Sequence, residues 1–143
     1  MLYQTIGSSR VSAGLLLLRF IIGLAFIFHG WTKIQHPMSW MGQYAFAPPW
    51  LQAIVAIVEF GGGIALILGL LTPLVAVAIF VDMAVAILKV HIPSGGQFVG
   101  GRMSFEIPLF YLVSMVVLLL TGPGQYSLDA LLVRKGTPTA GVP

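Results

Sequence analysis

Two histidines, two lysines and a glutamate stand out in a chain with very few ionisable side chains. His29 and Lys33 lie one helical turn apart near the end of one apolar run. Lys89 and His91 close another, and Arg102 and Glu106 bracket the start of a further one. Carried at the ends of three helices, these groups are expected to converge at one level. That is the depth at which a lipid-soluble ligand would place a polar head. Imidazole titrates near neutral pH and can give or take a proton, as the reduction or oxidation of a quinone requires. His29, Lys33, Lys89, His91 and Glu106 are therefore the candidates for ligand binding or proton transfer, and no catalytic residue is assigned. Helix-end snorkelling and capping account more plainly for Lys33, Lys89 and Glu106. They account less easily for two histidines and a carboxylate together. No metal or haem site is expected, because both histidines sit at helix ends and His36 is the only other one. With no cysteine in the chain, thiolate and iron–sulfur chemistry are excluded as well.

Three further charges lie deep inside apolar runs. Arg19 stands about 8 residues into the first run, or ~12 Å at 1.5 Å per residue. Glu59 and Asp82 are each about 9 residues into theirs, Glu59 counted from the opposite side, so all three approach the midplane. A charge at the centre of a bilayer costs roughly 2.5–3.5 kcal/mol on insertion scales, so it faces the protein interior and has a partner. At about 100° per residue, Glu59 shares a helix side with Gly62, Gly63, Leu66 and Gly69. Arg19 shares one with Gly23 and Gly30. Faces without bulk let helices approach closely. Opposite charges beside such faces predict an Arg19–Glu59 pair, which Asp82, flanked by Ala78 and Ala86, could join. This buried charge network either holds the helices together or forms a proton-conducting layer.

The elements that must carry these groups follow from composition. Of 143 residues, 58% are hydrophobic and 8% charged, with a mean hydropathy of +1.00. A soluble domain carries about a quarter charged residues, so lipid must solvate the excess. The expected fold is all-α: an integral membrane four-helix bundle, up-and-down, with N and C termini on the same side. A polar lead at 1–10 precedes a transmembrane domain at 11–122, with helices at about 11–34, 50–71, 73–90 and 104–120, and a tail at 123–143. Arg10 before an apolar stretch also fits a signal peptide. The run is long, however, and His29, Trp31 and Lys33 stand where a small-residue cleavage site would be, so an uncleaved anchor is expected.

The 35–49 segment is rich in aromatics and broken by Pro37, Pro48 and Pro49. It reads as an interfacial belt, with a lid over a site as the second reading. Thr72-Pro73 is expected to cap and open the third helix. The Gly-rich 91–103 loop lacks the spacing and preceding strand of a phosphate cradle. A short interfacial turn is expected at 127–133. Basic residues divide three against three between the two sides, so the positive-inside rule leans only weakly towards cytoplasmic termini. No basic patch with interleaved aromatics points to nucleic acid.

Taken in order, several pieces resemble the DoxX family of small four-helix bacterial membrane proteins. They are Leu16-Leu17-Leu18-Arg19, His29-Gly30-Trp31-x-Lys33, Glu59-x-x-Gly62-Gly63 and Gly69-Leu70-Leu71-Thr72. His91 with its Gly-rich loop, Glu106, and Gly122-Pro123-Gly124-x-x-Ser127-Leu128-Asp129 complete the set. The resemblance covers about residues 14–132. It implies a multi-pass protein of the bacterial inner (plasma) membrane. It also implies an accessory role beside terminal quinol oxidase or thiosulfate:quinone oxidoreductase activity, with other relatives tied to oxidative-stress and sulfur-metabolism complexes. No covalently bound cofactor is expected, and a quinone is the implied ligand. Electrons would come from or go to a redox partner subunit or soluble enzyme, since nothing here holds a flavin or metal. Whether the chain itself turns anything over stays open.

The alternative is a non-catalytic scaffold that recruits soluble redox or stress-response enzymes through its loops and tail. A small-solute transporter ranks last, because four helices without a repeat make a poor alternating-access machine unless the chain forms a homo-oligomer.

Overall fold

The computed structural model describes residues 9–135. The first part of the polar lead (1–8) and the end of the tail (136–143) lie outside the described residues. Every regular element is helical: α1 (Ser9–Gln35), a 3₁₀ turn (Gly42–Tyr44), α2 (Pro49–Leu68) and α3 (Thr72–Ala86). A π-helical turn (Ile87–His91), α4 (Glu106–Thr121) and a short α5 (Leu128–Lys135) follow. Three stretches are long and apolar enough to cross a membrane: α1, α2, and α3 with its π-helical continuation to His91. α4 is a shorter apolar helix of 16 residues. In hydrocarbon no water is present to satisfy backbone groups, so apolar runs of this kind close their hydrogen bonds within the segment.

α1 packs along α2, α3 packs along α4, and a tight hairpin joins α2 to α3. Their common core is Leu15, Ile22 and Phe26 from α1, Leu66 from α2, Ala76, Ile79 and Met83 from α3, and Met115 and Leu118 from α4. The opposite faces, including Leu17, Phe28, Ile57, Leu74, Phe110 and Leu120, are exposed and apolar. That is the pattern of a surface solvated by lipid.

Two backbone approaches set the register of α1 against α2. A Cβ built on Gly23 would lie 2.5 Å from the Gly63 carbonyl oxygen, and one on Gly63 would lie 2.6 Å from that of Gly23. Gly30 stands equally close to the Phe60 backbone. The glycine faces therefore do meet, and the antiparallel register they impose decides which charges can pair.

Boundaries follow local chemistry. α2 opens on Pro49, whose fixed φ suits the first helical position. It ends at Leu68 rather than 71, because Gly69 adopts φ 65°. The N–H groups of Gly69 and Leu70 then return to the carbonyls of Leu66 and Ala65, at 3.1 and 2.9 Å, closing the helix as a Schellman motif. Leu71, at φ 50°, is the one non-glycine residue with positive φ among the described residues. Thr72 does not cap α3 as expected. It is already helical and wholly buried, and its hydroxyl has no partner. The cap comes instead from Asp129 in the tail.

Candidate functional site

Two charged clusters lie at opposite ends of the helices, and the register of α1 on α2 separates them. At the end near the tail, Arg19 is fully buried. Its Nη1 donates to the Leu66 carbonyl at 3.1 Å and its Nη2 to the Tyr126 carbonyl at 2.5 Å. A guanidinium at the C-terminus of α2 meets the negative end of the helix dipole and adds a second donor to a carbonyl that the Gly69 N–H already reaches. The tail closes over this point. The Asp129 N–H donates to the Gly69 carbonyl at 2.9 Å, and the Asp129 carboxylate accepts from the N–H groups of Leu71 and Thr72, each at 2.8 Å. Gly69 has no room for a side chain here, since a Cβ would strike the Arg19 guanidinium and Ser127.

The expected Arg19–Glu59 pair therefore does not form. Glu59 lies further along the antiparallel pair, opposite Lys33. The Lys33 ammonium donates to Glu59 Oε1 at 2.5 Å, with side-chain exposures of 22% and 4%. Fourteen residues of α1 separate Arg19 from Lys33, about 21 Å along the helix axis at 1.5 Å per residue. Asp82, from α3, lies within hydrogen-bonding reach of the Glu59 carboxyl and in the field of Lys33 rather than of Arg19. One basic and two acidic groups from three helices thus meet in a single cluster.

The 35–49 segment covers this cluster. The Trp40 ring lies 4.3 Å from Lys33 Nζ in a cation–π contact. Trp40 is fixed in turn by its indole N–H, which donates to the Gln52 carbonyl at 2.9 Å. The buried Gln52 side chain accepts from the Met41 N–H at 3.1 Å and donates to the Ala47 carbonyl at 2.9 Å. Gln52 thereby ties the loop at three points.

The other candidates are arranged differently. His29 is exposed on α1, with its ring 6.4 Å from Tyr111 on α4 and 6.3 Å from Phe26. His91 ends the π-helical turn, its Nδ1 3.0 Å from the Ala86 carbonyl. A carbonyl can only accept, so Nδ1 carries the hydrogen and Nε2 faces away from that bond. Lys89 and Glu106 are exposed, and neither side chain has a hydrogen bond or ion pair among the described residues. Lys33 thus belongs to a built site, whereas His29, Lys89, His91 and Glu106 are not brought into contact with it or with one another. Among the described residues no three His, Asp or Glu side chains are gathered as a metal site would need. The cluster thus combines two acids, groups that bind protons, with an ammonium that is a hydrogen-bond donor.

Comparison with known proteins identifies the family. The DoxX family model matches residues 14–92. The chain belongs to the DoxX family. It is 32% identical over 130 residues to the inner membrane protein YqjF of Escherichia coli, covering 85% of this chain and 94% of that protein. It is 29% identical to the uncharacterized membrane protein Rv3486 of Mycobacterium tuberculosis, covering 84% of this chain and 82% of that one. It is 30% identical to a Bacillus subtilis protein named "putative oxidoreductase CatD", covering 90% of this chain and 93% of that one. No solved structure matches the chain. This is a membrane protein of the DoxX family, and the matched segment contains Arg19, Lys33, Glu59 and Asp82.

Proposed function

We propose that this DoxX protein is an accessory subunit of a quinone-linked redox system in the bacterial inner membrane, of the quinol oxidase or thiosulfate:quinone oxidoreductase type. In this reading α4 is the fourth span and both termini are cytoplasmic. The quinone head docks at the end of the helices where Trp40 covers Lys33, and its ring carbonyl accepts a hydrogen bond from the lysine ammonium. Glu59 and Asp82 serve as the proton reservoir behind it, with His29 and His91 at the lipid-facing approach. Electrons pass to or from a partner that carries its own redox centre.

The observation that carries the reading is the ammonium held between a buried carboxylate and an aromatic ring, with a second carboxyl in reach. A purely structural ion pair requires neither the second acid nor the aromatic cover. The relative named an oxidoreductase gives the reading its chemical direction. The test is thermal stability of the purified protein in mild detergent with added ubiquinone or menaquinone. A quinone-dependent rise in melting temperature that is lost in Lys33→Gln is expected. Protein that retains no quinone and gains no stability from either one refutes the reading.

The scaffold alternative draws on one feature. The 92–105 loop exposes Phe98, Val99 and Arg102, a surface suited to a soluble partner. Reproducible recovery of one soluble enzyme from native membranes, together with no quinone response, would favour it.

A further inference from the structure

The acidic half of the cluster has an unfilled requirement. Glu59 Oε1 is taken by Lys33, but Oε2 is buried with no donor, and Asp82 Oδ2 is in the same position. The two carboxyl groups lie within hydrogen-bonding reach of each other, and Glu59 is only 3% exposed. Two neighbouring carboxylates gain nothing from their contact, and each leaves a buried oxygen without the partner that water would have given it. As ions, Lys33, Glu59 and Asp82 sum to one negative charge in a medium that penalises any net charge.

Among the described residues no other cationic side chain makes an ion pair with either acid. On α1, His29 turns towards Tyr111 of α4 rather than towards Glu59, and Arg19 is occupied at the far end. Glu59 is the only ionisable residue of α2, and Asp82 the only one of α3 ahead of the π-helical turn. From the covering loop comes Trp40, which carries no charge.

We propose that Glu59 and Asp82 share one proton between their facing carboxyl oxygens. Lys33, Glu59 and Asp82 then form a neutral proton-binding site spanning three helices. One hydrogen supplies the missing partner to both carboxyls and brings the cluster to zero charge. The arrangement follows the rule that like carboxylates in contact do not both ionise. An alkali cation is the competing occupant, and the sodium arm of the test below separates it from a proton. The proton is not sealed in: Lys33 is 22% exposed and Asp82 is only partly buried. The site requires no quinone and stands apart from the redox reading.

The test is infrared spectroscopy of the full chain in mild detergent at neutral pH, reading the carbonyl stretch of protonated carboxyl groups and its shift in heavy water. Wild type should show one such carboxyl. Asp82→Asn preserves size, leaves Lys33 paired with Glu59, and should abolish the band. Glu59→Gln should abolish it too, because Asp82 then pairs with Lys33. Lys33→Gln should raise the band to about twice its area, since neutrality then needs a proton on each acid. Glu106→Gln, altered on an exposed residue, should leave it unchanged. Three results would overturn the proposal: a wild-type protein with no band, a band that survives in monodisperse Asp82→Asn, or a band removed by sodium but not by choline chloride.

Discussion

Asp129→Ala should unlatch the tail from the α2–α3 hairpin at a cost that can be worked out from two hydrogen bonds. The carboxylate takes the N–H groups of Leu71 and Thr72, each at 2.8 Å. Hydrogen bonds to a charged acceptor contribute about 1.5–3 kcal/mol each when the groups are shielded. The Leu71 bond is exposed, so water replaces it at little loss. Thr72 is fully buried, so its N–H keeps most of the penalty. The substitution also removes the side-chain cap of α3 and the support for Leu71 at φ 50°. Such caps contribute about 0.5–2 kcal/mol, but here the cap and the Thr72 bond are the same contact and are counted once. The expected loss is about 2 kcal/mol, roughly a thirtyfold drop in the ratio of folded to unfolded protein. Asp129→Asn keeps one oxygen acceptor and should lose about half as much. Equilibrium unfolding in mixed micelles, followed by tryptophan fluorescence, measures both. An Asp129→Ala protein within about 0.5 kcal/mol of wild type would refute the latch, since that is the usual range for an inert surface change.

Three other outcomes are expected. Leu71→Gly should raise stability by up to ~1 kcal/mol in the same unfolding assay, because a left-handed conformation costs an L-residue about 1–2 kcal/mol and glycine gives some of the gain back as chain entropy. Gly63→Val should abolish recovery of monodisperse protein on size exclusion, because its Cβ would meet the Gly23 carbonyl oxygen and the Ile27 backbone, neither of which can yield without parting α1 from α2. Trp40→Ala should cost about 0.5–1 kcal/mol through the lost cation–π contact. It should also speed proteolysis of the 35–49 segment, whereas Tyr44→Ala, exposed at 84%, should change neither.

Much of the helical architecture was legible because lipid leaves an apolar run few choices. The glycine faces were legible too: Gly23, Gly30 and Gly63 do sit where α1 meets α2. The Arg19–Glu59 expectation fails because depth measured from helix ends does not fix the register, whereas those glycines do. With Gly23 opposite Gly63 and Gly30 opposite Phe60, each step along α1 runs against a step along α2. That register puts Glu59 beside Lys33 and Arg19 beside Leu66. The sequence therefore contained the information needed to find the right partner.

Asp129 belongs to the Gly122–Asp129 motif, yet nothing local announces a cap delivered from 57 residues away. Thr72 looked like the cap because its type and its Pro73 neighbour fit the usual pattern. The real cap became visible only once the tail folded back. The Trp40 cover fell between two readings because an interfacial tryptophan and a lid tryptophan have the same sequence signature.

The two charged clusters differ in what they leave unpaired, and that difference is why the proposals are built on the Lys33 end. Arg19 sits among carbonyls that cannot titrate, and a guanidinium keeps its charge. The Nε hydrogen is its one unmet need. That end holds the α2–α3 hairpin and the tail together, with the Asp129 carboxylate spent on two backbone N–H groups. The Lys33 end carries one cation against two acids, two unfilled acceptors and an aromatic cover fixed by a single glutamine. Its charge changes by one unit when a proton arrives or leaves, and α1, α2 and α3 all carry a share of it. A membrane protein that needed only to be stable would have gained from an apolar residue in place of Asp82, since a buried acid beside another acid lowers stability. On the proposal that Glu59 and Asp82 share a proton, its presence next to Glu59 serves a role that uses that proton.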